Sequence, residues 1–589
     1  MDQQRNGFEL LNVKKKSQRS YSRSSIVSSG VLIVLACLAI AVVVWPLLLL
    51  ILTIVQNASS VWSVLGKQDT LKPLLNTAIT SVIATVIALF VGICSALLMQ
   101  GIQRNFPRWQ RWWQILLLLP LFMPPFIGAF SWLQAYARGG LSDELLHITF
   151  PWLYGPAGVI VLLAIHSAPI AYMTVLAALS RLDRRSLQAA RMYGASPRTI
   201  FLQIILPVVR PTIIAALGLI FAVNAGDFGI PLILGVPGHF LTATTQIYQE
   251  LSFLSSTDGF SVAMALSFIL ALGSLLILLL LQRIDTNQAL LTPAEPVQDV
   301  RDAQRRGSFW FVSGMCVFSL YMIVIMIIPC LALLLTSLTT AYGLPPVPQN
   351  WTLAHFISIF NGDTLVAILH SVGLAAVVAI VIVLLGLLEA ESARHTRLGR
   401  LLTRIVWLPY AIPGSVIGVA ATLAYSRWFY GTLTIIFLAY LAKFWGMSEP
   451  LISARRQTDT GRWHAGRLFG AGRLLAYRIG IWPTIGGTAL AIGVLVLINS
   501  VYELTMSSLL ATPNSETIAS IVLNAEEGGD VTTTATLAVL MMLLMVGSML
   551  IVTGVGRTRT GQAKEHSMNS RRCQKEKRAR EHATETVVN

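Results

Sequence analysis

Two carboxylates stand where carboxylates are costly. Asp227, in NAGDFGIP, and Glu503, in NSVYELTM, each fall inside a long apolar run. An acid at the centre of a membrane helix costs on the order of 3 kcal/mol on insertion scales, so each needs a partner or a wet cavity. Such oxygen ligands suit a hard metal ion, and they also attract an organic ammonium or thiazolium cation. They equally fit a local role, in which each accepts hydrogen bonds from backbone freed by Gly226, Gly229 or Pro231. His166, near Pro169 and Tyr172, stands alone in its run and reads as a helix contact rather than a metal ligand; Lys443 and Glu449 lie in the corresponding later run, where a lysine can reach the interface. The five cysteines show no CxxC or Cys/His spacing, and four lie in apolar runs, so neither a disulfide nor a metal site is expected. No GxxxxGK[ST] phosphate loop occurs, and Gly66-Lys67 is followed by Gln68. A membrane-embedded enzyme would need His, Asp and Glu clustered at one depth. The expectation is no catalytic residues, no cofactor and no assigned metal.

The elements that carry these residues are apolar and long. Of 589 residues, 55% are hydrophobic and 12% charged, and the mean hydropathy of +0.68 excludes a large soluble domain. Apolar windows place spans near 30–55, 74–100, 112–136, 155–179, 211–235 and 260–282, then 308–338, 365–388, 401–426, 431–453, 484–511 and 533–556. The first is too long for a signal-peptide core and is expected to stay as a membrane helix. The expected fold class is an all-α polytopic membrane protein, about 12 transmembrane helices as two homologous six-helix halves. Its parts are a basic tail over 1–29, a first half over 30–284, a polar linker over 285–307, a second half over 308–556 and a basic tail over 557–589. If both termini share a side, that side holds 38 of the 43 lysines and arginines, which the positive-inside rule makes cytoplasmic. The net charge of +16 then reflects topology and contact with anionic lipid rather than nucleic acid.

The halves repeat at the level of residues. QAARMYGASPRTIFLQIILP runs from Gln188 to Pro207, and HAGRLFGAGRLLAYRIGIWP from His464 to Pro483. Gly194 and Gly470 each stand 13 residues before their proline, and Asp227 and Glu503 each follow it by 20. Upstream, the run ending at Gly92 aligns with the run ending at Gly386, and LPLFMPP matches LPYAIPG, setting Pro120 and Pro124 against Pro409 and Pro413. These prolines would kink the third and ninth spans and free carbonyls. Three anchors in one order imply duplication and fusion.

Each repeat sets a short segment between two spans: a basic amphipathic helix start, a glycine, a second helical stretch, then a proline at the membrane entry. Glycine permits a turn other residues resist, and proline suits the first turn of the next span. The expected form is a helix-turn-helix on the membrane face, with Arg191, Arg198, Arg467 and Arg473 holding it near headgroups or an acidic partner.

The segment resembles the EAA-x3-G-x9-I-x-LP signature of importer-type ABC transporter permeases. Gln188, Ala189, Ala190, Gly194, Ile204, Leu206 and Pro207 match it, with Gln for Glu; the second copy keeps Ala465, Gly470 and Pro483 but has His464, Gly466 and Trp482 where the pattern has Glu, Ala and Leu. The resemblance covers about 70–284 and 365–556. It implies a fused two-half permease in which these loops dock on a separate ATPase, present in two copies, and an extracytoplasmic substrate-binding protein delivers the ligand. It also implies a bacterial inner-membrane location with both termini cytoplasmic. LPLFMPPFIGAF, LPYAIPGSVIGVA and GTLTIIFLAYLAKF look most like permeases for ferric iron, with thiamine and 2-aminoethylphosphonate permeases close in pattern. Asp227 and Glu503 are candidate pathway residues. A secondary transporter also has twelve helices in two halves, but major-facilitator proteins carry G-x-x-x-D-R-x-G-R-R between spans two and three, where this chain has GIQRNFPRWQRWW.

Overall fold

The computed structural model describes residues 30–180, 182, 189–190, 192–252, 258–283, 309–360, 362–392, 396–457 and 461–547. The linker over 285–307 and both tails lie outside them. The described chain is helical, its sole strand-like feature being an isolated bridge between Thr339 and Trp351. Nine of its helices are long and apolar enough to cross a membrane, or eleven if each of two sharply bent pairs counts as one span; a shorter apolar helix covers Val531–Gly547.

In the first set, α1 is Gly30–Gln56, α2 Gln68–Asn105, α3 Gln110–Phe122, α4 Pro125–Tyr136, α5 Pro156–Leu179, α6 Leu206–Gly226, α7 Ala243–Ser252 and α8 Gly259–Arg283. In the second, α9 is Val312–Leu338, α10 Gly362–Ser392, α11 Arg397–Ala411, α12 Gly414–Phe429, α13 Leu433–Phe444, α14 Glu449–Gln457, α15 Gly461–Leu468, α16 Arg473–Gly480, α17 Trp482–Val501, α18 Thr505–Leu510, α19 Ile518–Glu527 and α20 Val531–Gly547.

The sequence reading needs correction at four spans. The third and ninth do not merely kink: α3 and α4 meet at 100°, α11 and α12 at 112°. Pro120 and Pro409 stay inside their helices, while the breaks fall at Met123–Pro124 and Ile412–Pro413. A residue before proline is driven from the helical region to an extended one, and Met123 (ψ 128°) and Ile412 (ψ 136°) are extended accordingly. The fifth and eleventh spans also end early, α6 at Gly226 and α17 at Val501. Asp227 and Glu503 therefore sit at breaks, not within continuous helices.

The first helix of each set packs on the other set. α1 lies against α12, and the end of α9 against α4. The same hydrogen bond seals each crossing: Tyr136 Oη donates to the Val324 carbonyl at 2.5 Å and Tyr425 Oη to the Ala41 carbonyl at 2.7 Å. Both acceptors lie in wide turns, Ile323–Ile327 and Ile40–Val44, where Ile328 and Trp45 donate five residues back, to Ile323 and Ile40. The next donors in that register would be Pro329 and Pro46, which have no N–H. Each tyrosine thus satisfies a carbonyl that proline leaves without its helical partner. Within each set, α2 packs on α5 and α10 on α17. Gly92 and Gly386 mark close approaches, since a methyl group on Gly92 would fall 2.3 Å from Ala171 Cβ and one on Gly386 2.7 Å from Ser448 Cβ.

Candidate functional site

The two repeated loops fold alike. In the first, Tyr193 donates to the Ala189 carbonyl and Ala195 to that of Ala190, both at 3.0 Å. In the second, Phe469 donates to Ala465 at 3.0 Å and Ala471 to Gly466 at 2.9 Å. The five-residue bonds close a left-handed helix end, with Gly194 at φ +78° and Gly470 at φ +83°. A methyl group at either glycine would meet nothing within 4 Å, so the requirement for glycine is conformational rather than steric. Two apolar side chains protrude just before each turn: Met192 and Tyr193 are 87% and 92% exposed, Leu468 and Phe469 likewise 87% and 92%. Motif matching overlooks these knobs, although an apolar pair directly before the turn glycine of a basic loop was a readable signal.

Of the other loop residues, Gln188 lies outside the described residues. Ile204 lies in the wide turn Phe201–Ile205, and Leu206 and Pro207 open α6. His464 and Ala465 lie in α15, and Pro483 is the second residue of α17. Gly466 does not interrupt α15: a methyl group there would lie 3.6 Å from Ala476 Cβ, and α16 packs back at this point.

The carboxylates act on helix starts. Asp227 Oδ1 accepts from the Ile230 N–H at 2.9 Å, and Glu503 Oε2 accepts from Met506 at 2.8 Å and Ser507 at 3.2 Å, capping α18. Their own carbonyls accept from Thr244 Oγ1 at 2.8 Å and Tyr440 Oη at 3.2 Å. Bases meet the opposite ends. Lys443 Nζ donates to the carbonyls of Ile412, Tyr410 (3.3 Å) and Pro409 (3.4 Å), while the His166 ring hydrogen-bonds to the Pro120 carbonyl. Each breaking helix, α3 and α11, thus has a basic side chain at its C-terminal carbonyls, which have lost their helical donors and carry partial negative charge. His166 fills a packed slot, with Nε2 only 2.2 Å from where a methyl group on Gly128 would be. Among the described residues no three His, Cys, Asp or Glu side chains gather as a metal site.

The breaks of the two sets meet. A methyl group on Gly226, beside Asp227, would lie 3.4 Å from Pro413, and one on the adjacent Gly414 would lie 3.1 Å from Glu503 Oε1. Asp227 and Glu503 are half-buried.

Residues 88–288 match the family described as binding-protein-dependent transport system inner membrane component. Over 177 residues the chain is 32% identical to the molybdenum transport system permease ModB of Escherichia coli, covering 76% of that protein and 29% of this one. The chain belongs to the binding-protein-dependent transport inner membrane components. This permease is also similar, at 26% identity over 457 residues, to the Fe(3+)-transport system permease FbpB 2 of Haemophilus influenzae, with 76% of the chain and 83% of the relative covered. The ferric transport system permease FbpB of Actinobacillus pleuropneumoniae is 23% identical over 480 residues, 77% of the chain and 67% of the relative. As an ABC transporter permease it is a multi-pass translocation subunit, of a kind that works with an ATPase and a substrate-binding protein.

Proposed function

We propose that this chain is the fused permease of a ferric iron importer, with 30–284 and 308–556 as its two halves. Each half docks one copy of a separate ATPase on its cytoplasmic loop, and both termini are cytoplasmic. The observation that carries the coupling role is the matched pair of turns, each presenting an apolar knob beside a left-handed glycine. Groove docking favours such anchors, because burying them removes apolar area from water. The loop residues Ala189, Ala190, Gly194, Ala465 and Gly470 build the turns, while Leu206, Pro207 and Pro483 set the entry of the span that each loop moves. In this reading ATP is hydrolysed by the partner, which fits a sequence that carries no GxxxxGK[ST] loop.

What supports iron is coverage: the ferric permeases align along about three quarters of the chain, the molybdenum permease along 29%. The pathway runs between the halves where the broken helices meet. Irregular backbone at membrane depth is tolerated where protein buries it or where it lines a cavity, and Asp227 and Glu503 stand at such irregular backbone, half-buried. The carboxylates cap their helices through some of their oxygen lone pairs, and carboxyl oxygens are the ligand type that a hard cation prefers. Deletion and complementation test the reading. Loss of the chain abolishes binding-protein-dependent uptake of ferric iron; unchanged iron uptake, with loss of thiamine or aminoethylphosphonate uptake instead, overturns the substrate.

A further inference from the structure

The second set carries an ion pair at positions whose counterparts in the first set are apolar. At the cytoplasmic end of α10, Glu391 receives Arg455 of α14 through two parallel contacts, Nε to Oε1 and Nη2 to Oε2, the latter at 3.3 Å. Arg455 is buried and Glu391 half-exposed. Two residues earlier the buried Glu389 accepts from Thr403 Oγ1 of α11 at 2.6 Å, so the end of α10 is tied to its neighbours on two sides. Burial pushes the Tyr477 phenol of α16 above its ordinary range, with the Glu391 carboxylate adding to the rise and Arg455 opposing it.

These residues flank the second loop. α14 enters it and α16 leaves it, and α14 is joined to α10 by the ion pair. Arg455 stands 15 residues before Gly470; 15 before Gly194 is Leu179. Tyr477 stands seven after Gly470; seven after Gly194 is Phe201. In the alignment that equates Gly92 with Gly386, Glu391 corresponds to Leu97. All three matching positions of the first set are apolar. A two-pronged arginine–carboxylate contact fixes direction as well as distance, unlike apolar contacts that slide.

We infer that Arg455 and Glu391 are positioning residues, a clamp that makes α10 move with the second loop, so that coupling through this loop depends on an ion pair that the apolar residues at the matching positions of the first set cannot form. The inference rests on the proposed docking of both loops. It accounts for how a loop with His464 and Gly466 in place of the family residues still transmits motion: the rigidity lies at its base.

The test uses the whole complex, permease with ATPase and binding protein, in proteoliposomes, reading uptake of radiolabelled ferric iron presented on the binding protein and ATP hydrolysis in the same sample. ATP-driven uptake by the unaltered complex establishes the underlying reading before variants are compared. Glu391→Gln and Glu391→Arg should each lower the iron moved per ATP by about fivefold or more, the lower range of typical coupling between sites, with the ATPase still bound. Arg455→Glu combined with Glu391→Arg should restore at least half of the loss, whereas Arg455→Lys alone, which keeps charge but not the fork, should lower the ratio as the Glu391 variants do. A merely structural role would lower uptake, hydrolysis and abundance together at an unchanged ratio. That result, or a wild-type ratio in both Glu391 variants, overturns the clamp.

Discussion

Replacing Gly194 or Gly470 by valine strains a turn without filling any space. The positive φ values, +78° and +83°, lie in the left-handed region, and the Cβ has open surroundings, so the cost is conformational alone. For an ordinary L-residue that cost is about 1–2 kcal/mol, and for a β-branched one the conformation is a true outlier. An energy of that size shifts the balance between turned and unturned loop by roughly 5- to 30-fold. The knobs Met192–Tyr193 and Leu468–Phe469 would then point away from the docking direction in most molecules. Asparagine, which enters the left-handed region more readily, should cost less than alanine, and alanine less than valine. Uptake and ATPase co-purification, measured at matched membrane abundance across the three substitutions at each glycine, check the order. Equal effects of Asn, Ala and Val, or normal uptake in both valine variants, would refute the assignment of these turns.

Removing a crossing hydroxyl by Tyr136→Phe or Tyr425→Phe leaves a proline-orphaned carbonyl unpaired and should lower stability in detergent by about 1 kcal/mol, read as a fall in unfolding midpoint; an unchanged midpoint contradicts the pairing. Glu503→Gln keeps an acceptor for the Met506 and Ser507 N–H groups, so its stability should stay near wild type while Glu503→Leu loses about 1–3 kcal/mol. If the charge draws in a cation, iron uptake falls in Asp227→Asn and Glu503→Gln at matched abundance; wild-type rates in both, and in the double variant, leave capping as their whole role. Glu526, at the end of α19, has a buried Oε2 with no hydrogen-bond partner among the described residues, and burial pushes its carboxyl up to about 7. The folded state then holds a proton that the unfolded chain releases from about pH 4.5 upward, so this residue's contribution falls as pH rises from about 4.5 through about 7. Glu526→Gln should raise the unfolding midpoint at pH 7.5 and flatten its change between pH 5 and 8, and an unaltered pH profile would contradict the burial.

Much of the architecture was legible in residue order. Apolar run length located the spans, and the equal spacing of Gly194–Pro207 and Gly470–Pro483 marked two loops that fold with the same hydrogen bonds. Local pattern failed where the outcome depends on neighbours. Pro124 and Pro413 were readable as kinks, but the 100° and 112° breaks free carbonyls that Lys443 and His166 cover, and those bases lie 30 or more residues away in sequence. Window averages carried the fifth and eleventh spans past Asp227 and Glu503, because the residues beyond each acid are apolar even though the backbone turns there. The exchange of α1 and α9 between sets leaves no periodic trace. Its one sequence mark is the tyrosine in each set that pairs with a carbonyl five residues before a proline of the other.

Reconstitution with purified partners tests the central claim most directly: radiolabelled ferric iron on its binding protein, the permease in sealed proteoliposomes, and ATP supplied on the side of the ATPase. The account predicts iron accumulation that requires ATP, the ATPase and the binding protein together, and that Gly194→Val lowers by roughly 5-fold or more. Accumulation driven by an ion gradient without ATP, or ATP-driven transport that rejects ferric iron, would contradict it.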